Sequence, residues 1–146
     1  MGGAAALLDG LVGAVVGPFL ADVVQPALTT RRGAERLRAL TEHWIAYASA
    51  PLFPGGCFWA ACLTDFDSRP GAVRDALARQ RRTWLSLLVG EFRHAVEDGE
   101  VADVDPELAA FQVDAVLLAT NTALRLGDDG AAELARRVLD GLLAGA

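Results

Sequence analysis

Apolar residues recur at steps of three and four along almost the whole chain, and no segment alternates apolar and polar residues for long enough to make a strand. That periodicity confines the chain to an all-α fold, a bundle of about six helices. It is interrupted once, near the middle. Pro54-Gly55-Gly56 and Arg69-Pro70-Gly71 are helix-breaking signals, and between them runs a short apolar segment dense in aromatics, from Cys57 through Phe58, Trp59 and Cys62 to Phe66. A short helix inserted between two long ones is the simplest reading, with Trp59, Cys62 and Phe66 on one face. Its expected role is to help wall in whatever the bundle binds.

Ahead of the insert, the first helix is expected over about Ala4–Leu28, on the stripe Leu8, Leu11, Val12, Val15, Phe19, Val23 and Ala27. Pro18 removes a backbone donor and clashes with the preceding turn, so Gly17-Pro18 predicts a kink or break. A helix starting so near Met1, with no capping residue before it, reads as a piece of a longer protein. The second helix, about Arg32–Ser49, turns Leu37, Leu40, Trp44, Tyr47 and Ala48 inward.

After the insert, Pro70 suits the first position of a long helix running to about Asp98, with Asp67 or Ser68 placed to accept from its free N–H groups. Val73, Leu77, Trp84, Leu88, Phe92, Ala95 and Val96 form its inward face. Gly90 costs about 1 kcal/mol relative to Ala in mid-helix, and suggests close approach of a backbone or a ligand. Gly99 is the residue expected just past the end. Asp105-Pro106-Glu107 is a strong start signal for the next helix, which stops at Gly127, and a last helix runs from about Asp128 to Leu143. These two helices are apolar on more than one face. A two-fold, four-helix dimer would bury the second face, with Val113, Leu117, Leu124, Leu134, Val138 and Leu142 at the interface.

Composition points the same way. Hydrophobic residues make up 53% and charged residues 22% of the chain, so the apolar excess must enter a core, a cavity or a subunit interface. The net charge of −6 repels a phosphate backbone, and Arg79-Gln80-Arg81-Arg82 spreads around most of a helical turn, as a solvated face does. These residues alone are therefore not expected to bind nucleic acid. The uncharged run Gly10–Ala21 is shorter than the roughly 20 residues that span a bilayer, and no basic residue precedes Arg31 to start a signal peptide. No membrane contact and a cytoplasmic location are expected.

Chemistry-bearing patterns are few. There is no phosphate-binding loop, nucleophile elbow or zinc signature. Cys57 and Cys62 sit more than a turn apart on one helix, which disfavours a disulfide, and with two distant His they make no zinc set. They read as small buried hydrophobes. His43 lies beside the second helix's stripe with no carboxylate, Ser or Cys placed to make a catalytic pair. An enzyme using His43 or Cys57 is the reading least supported, and no cofactor or metal is expected.

One stretch carries a family resemblance. Gly55-Gly56-Cys57, followed by Asp65-Phe66-Asp67-Ser68-Arg69-Pro70-Gly71-Ala72-Val73-Arg74-Asp75-Ala76-Leu77, is similar to the GGC…EFD-x-RPGPVRDAL run of one branch of the TetR/AcrR transcriptional regulators, with Asp65 for Glu and Ala72 for Pro. Asp103–Phe111 and Asn121–Leu126 resemble the start and end of that family's eighth helix. The resemblance spans nearly the whole chain and is to the family's C-terminal, ligand-sensing and dimerisation domain. The helix-turn-helix head that gives such proteins their DNA contacts has no counterpart in these residues. The resemblance implies a homodimer, with DNA binding only through that head. It also implies a small, mostly apolar effector held among the middle helices.

Pockets of that kind are apolar with a few orienting polar groups. The candidates are Trp44 and Tyr47 on the second helix, Phe58 and Cys62 on the insert, Trp84 and Leu88 on the long helix, and Thr120 and Asn121 on the next. Asn121 stands out because an amide on an apolar helix needs a partner, be it a dimer mate, a loop carbonyl or an effector. The alternative function is an interaction protein that pairs with a full-length relative and titrates it.

Overall fold

The computed structural model describes residues 6–7, 10, 13, 16–50 and 56–144. Stripe positions Leu8, Leu11, Val12 and Val15 and the loop residues Leu52 and Phe53 lie outside them. Among the described residues there are six helices and no strand: α1 (residues 16–27), α2 (Ala34–Ser49), α3 (Phe58–Phe66), α4 (Ala72–Glu97), α5 (Pro106–Arg125) and α6 (Ala131–Leu142). Helices α4, α5 and α6 pack in succession, and α2 touches all three as well as α1. Leu37 and Leu40 of α2, Leu88 and Phe92 of α4 and Leu117 of α5 are the fully buried centre. Whole apolar stripes meeting there supply most of the stability of such a bundle.

Within its described residues, helix α1 departs from α geometry past Pro18. It widens into a π turn over Leu20–Val24, with the Gln25 N–H bonded to the Leu20 carbonyl. Pro26 accounts for the position. It has no N–H to give, and its ring would strike the carbonyl four residues earlier, so the backbone opens by one residue just ahead of it. Thr29 and Thr30 then donate their hydroxyls to the Pro26 and Ala27 carbonyls, both at 2.7 Å, and end the helix.

The elbow between α1 and α2 is fastened by carboxylates from far along the chain. Glu91 accepts from the Gly33 N–H at 2.8 Å and pairs with Arg32 at 3.2 Å and Arg36 at 3.5 Å. Glu100 accepts from the Ala34 N–H at 2.8 Å and pairs with Arg31 at 2.8 Å. Two acids therefore sit over the positive end of α2, where free N–H groups and the helix dipole both favour negative charge. Gly33 has φ 92°, and a Cβ there would run into the Glu100 carboxylate. Gly90 lies under this cluster: the protein atom nearest to a Cβ there would be the Arg32 guanidinium at 4.0 Å, a side chain and not a backbone.

Helix ends follow local chemistry where the signal was complete. Asp105 accepts from Glu107 N–H at 2.9 Å and Leu108 N–H at 3.2 Å, with Pro106 at the first helical position. Past α4, Gly99 and Glu100 donate to the Val96 and Ala95 carbonyls, and Gly127 and Asp128 repeat the pattern after α5. Two starts differ from expectation. Helix α4 begins at Ala72 after Gly71, leaving Pro70 outside, and neither Asp67 nor Ser68 caps it with a side chain; instead Arg74 donates to the Asp67 carbonyl at 2.8 Å. Helix α6 begins at Ala131, because Asp128 uses its carboxylate on the Gly130 N–H in the turn before it.

Candidate functional site

Helix α3 has no fully buried residue, though half-buried Trp59 and Ala60 pack against the core. Just before it, Gly56 takes φ 66°, and the next N–H, that of Cys57, donates to Asn121 Oδ1 of α5 at 2.9 Å. A Cβ at Gly56 would press on that same oxygen at 2.5 Å. The Trp59 indole N–H donates to the Leu77 carbonyl of α4 at 3.0 Å. Hydrogen bonds thus tie the start of α3 to both α5 and α4.

Beneath this mount lies a small cavity of about 40 Å³, lined by Phe19 of α1, Trp44 and Tyr47 of α2, Cys57 and Trp59 of the insert, Gln80, Arg81 and Trp84 of α4, and Asp114 and Leu118 of α5. All three tryptophans and the single tyrosine of the chain meet here. Phe19 joins the others edge-on, its ring centroid 5.7 Å from Tyr47 and 5.5 Å from Trp84 with interplanar angles of 84° and 81°. Each such pair contributes about 0.5–1.5 kcal/mol beyond its buried area.

One ion pair is set into this aromatic wall. Arg81 Nη2 donates to Asp114 Oδ2 at 2.9 Å, with side-chain exposures of 35% and 9%. Burial pushes the Asp114 carboxyl above its ordinary range, against the pull of Arg81 and of the Trp84 indole N–H. Burial likewise raises the Cys57 thiol, although the Ala60 and Trp59 backbone N–H groups oppose it, and it raises Cys62 with help from Asp65. Protonated thiols are poor nucleophiles, so Cys57 is a wall residue. Tyr47 is pushed up to about 12, chiefly by burial and then by Cys57, and stays a phenol at neutral pH.

Of the expected ligand residues, Trp44, Tyr47 and Trp84 line the cavity. Phe58 and Cys62 are half-buried on α3 and outside its lining. Leu88 lies one turn further along α4 in the closed core. Thr120 returns its hydroxyl to the Val116 carbonyl at 2.8 Å, and Asn121 holds the insert. His43 is half-buried and does not reach the cavity.

Arg81 departs from the solvated face expected of Arg79-Gln80-Arg81-Arg82 and turns inward to Asp114, and both residues carry a signal in the sequence. Leu77, Arg81, Trp84 and Leu88 fall on one helical row, as do Asp114, Leu117, Leu118 and Asn121, so a charge stands in each inward stripe. Of the expected interface residues, Val113 and Leu117 are buried within the protomer, Leu124 and Leu142 are half-buried, and Leu134 and Val138 are exposed. Leu108 and Phe111 on α5, and Leu126 just past its end, are exposed as well. Among the described residues no group of His, Cys, Asp and Glu is placed to hold a metal ion, and no helix is long and apolar enough to cross a membrane.

Residues 33–139 match the tetracyclin repressor-like, C-terminal domain family, well over half of the chain. The chain belongs to that family of regulator domains. Its backbone is similar to the crystal structure of AibR in complex with isovaleryl coenzyme A and operator DNA, with a TM-score of 0.72 at 18% identity, covering 97% of this chain and 75% of AibR. At that identity the likeness is one of fold. No curated protein matches the chain.

Proposed function

We propose that these residues are the effector-sensing and dimerising part of a TetR-type transcriptional repressor that leaves its operator when a small, mostly apolar molecule binds among the helices. The observation that carries this is the convergence of five aromatic side chains and one ion pair, from α1, α2, α4, α5 and the insert, on a single cavity. A fold neighbour bound to both an acyl-coenzyme A and operator DNA supports the pairing of a small-molecule effector with a DNA partner. DNA contacts would come from a helix-turn-helix head beyond these residues, in keeping with the net charge of −6.

The physical route runs through Phe19. A ligand pressing on the aromatic wall moves the α1 side chain that seals it, and α1 is free to respond because its π turn lies next to Phe19 while its far end is fixed by the Glu91–Glu100 elbow. Useful control needs the ligand to favour the released state by about 1–3 kcal/mol. The exposed Leu108, Phe111, Leu126, Leu134 and Val138 form the face on which a second copy would pack, and the protein would act in the cytoplasm. A thermal-shift screen of small apolar acids, amides and thioesters tests the sensor, since a ligand bound only by the folded state raises the melting temperature. Light scattering at micromolar concentration tests the pairing, and a monomer there contradicts it.

A further inference from the structure

The tryptophan-lined cavity is too small for the effector it is read to hold. About 40 Å³ seats little more than water, whereas small-molecule sites run to roughly 300–1,000 Å³. Space of that order lies next door. A groove of about 400 Å³ between α1 and α4, lined by Leu20, Val24, Ala76 and Leu87 with Arg79 and Thr83, shares Phe19, Gln80 and Trp84 with the cavity. Those three residues are therefore the wall between the two spaces. Trp84 is buried. Phe19 is half-buried, held by two ring contacts, and stands beside the widened turn of α1. With Gln80, also half-buried, it is a part of the wall able to swing.

The charges at the inner end narrow the ligand. Arg81 and Asp114 form a pair of zero net charge in an apolar setting. A carboxylate drawn to Arg81 meets Asp114, and a cation drawn to Asp114 and the aromatic faces meets Arg81. A neutral acceptor disturbs neither, because a guanidinium carries five N–H groups and the Asp114 bond uses one. Resting on the ligand-sensing reading above, we propose that cavity and groove are one chamber partitioned by the Phe19 ring. Its ligand is an uncharged, elongated apolar molecule, with a hydrogen-bond-accepting head at Arg81 and a tail along the α1–α4 groove.

Because all three tryptophans line the inner end, intrinsic fluorescence of the full chain reports occupancy directly. Octanamide, butanamide, octanoate and octyltrimethylammonium form a series that varies tail and head separately. Octanamide is expected to bind about tenfold or more tighter than butanamide, from the added buried methylenes, and also tighter than either charged octyl compound. Thr83 is exposed and lines only the groove, so Thr83→Phe should weaken octanamide about tenfold by blocking the tail while leaving butanamide and the fold unchanged. Asp114→Asn, which leaves Arg81 unneutralised, should turn the preference toward octanoate.

If none of the four compounds perturbs the wild-type tryptophans, the ligand-sensing reading falls and this proposal with it. If octanamide binds and Thr83→Phe leaves it unaffected, the joined chamber is overturned while the sensing reading stands. If octanoate or the ammonium binds wild type more tightly than octanamide, the uncharged head is overturned.

Discussion

The elbow before α2 and the insert α3 are both short connections that reach across the bundle, and they are held in opposite ways. At the elbow, two carboxylates accept from the backbone N–H groups of Gly33 and Ala34 and gather Arg31, Arg32 and Arg36 around them. Glu91 is only 3% exposed there. Helix α3 has no buried side chain of its own, and its start hangs on neutral hydrogen bonds to Asn121 and Leu77. Removing one partner of a buried charged cluster strands the rest, whereas a lost neutral bond strands one group. The elbow is thus part of the frame of the molecule, and the insert is a cover that can open without unfolding it.

The sharpest way to break this contrast is Glu91→Ala. Stranding the buried Gly33 N–H and taking the carboxylate from Arg32 and Arg36 should cost about 3 kcal/mol of global stability, lowering the melting temperature by about 10 °C; Glu91→Gln, which still accepts from Gly33, should recover part of it. A melting temperature that hardly moves would mean the elbow is no more structural than the insert. Asn121→Ala comes next. It leaves the Cys57 N–H unpaired at about 1–3 kcal/mol, and the loss should be local, seen as faster amide exchange across residues 57–66 with α2 and α4 still protected. Smaller again is Trp59→Phe, which keeps the ring but frees the Leu77 carbonyl, for about 0.5–1.5 kcal/mol in the same local exchange.

The mildest test uses Tyr47, the only tyrosine. Its phenol, raised from 10.0 to about 12, gives stability that is fully present below pH 10 and is lost as the pH rises through about 12. Absorbance titration should show that midpoint in wild type. Asn121→Ala should bring it back toward 10 as the insert loosens and water reaches the ring.

Whatever is decided within a few residues is legible in the sequence. The stripes of α2, α4 and α5, the Asp105-Pro106 start and the Gly99 and Gly127 stops all rest on neighbours in sequence. Hidden were the contacts that close over long separations. Glu91 and Glu100 meet the elbow from 58 and 66 residues away, and nothing near either marks it as a cap for another helix. Asn121 announced that it needed a partner, but the partner, 64 residues distant, is a backbone N–H. Arg81 was obscured by its company: among Arg79 and Arg82 it looks like solvated charge, and only its place in the row with Leu77 and Trp84 shows it turned inward. The displaced widening of α1 had its cause in view too, since Pro26 is as plain a breaker as Pro18.

That widened turn also sets a phase. An α-helix advances about 100° per residue, and the π turn over Leu20–Val24 holds one residue more than an α turn would need. Deleting a single residue there would rewind the helix and rotate residues 16–19 by about 100° against everything that follows. Phe19 would then leave Tyr47 and Trp84 for another side of α1. The angle at which this helix presents itself to the rest of the molecule is thus stored as one surplus residue.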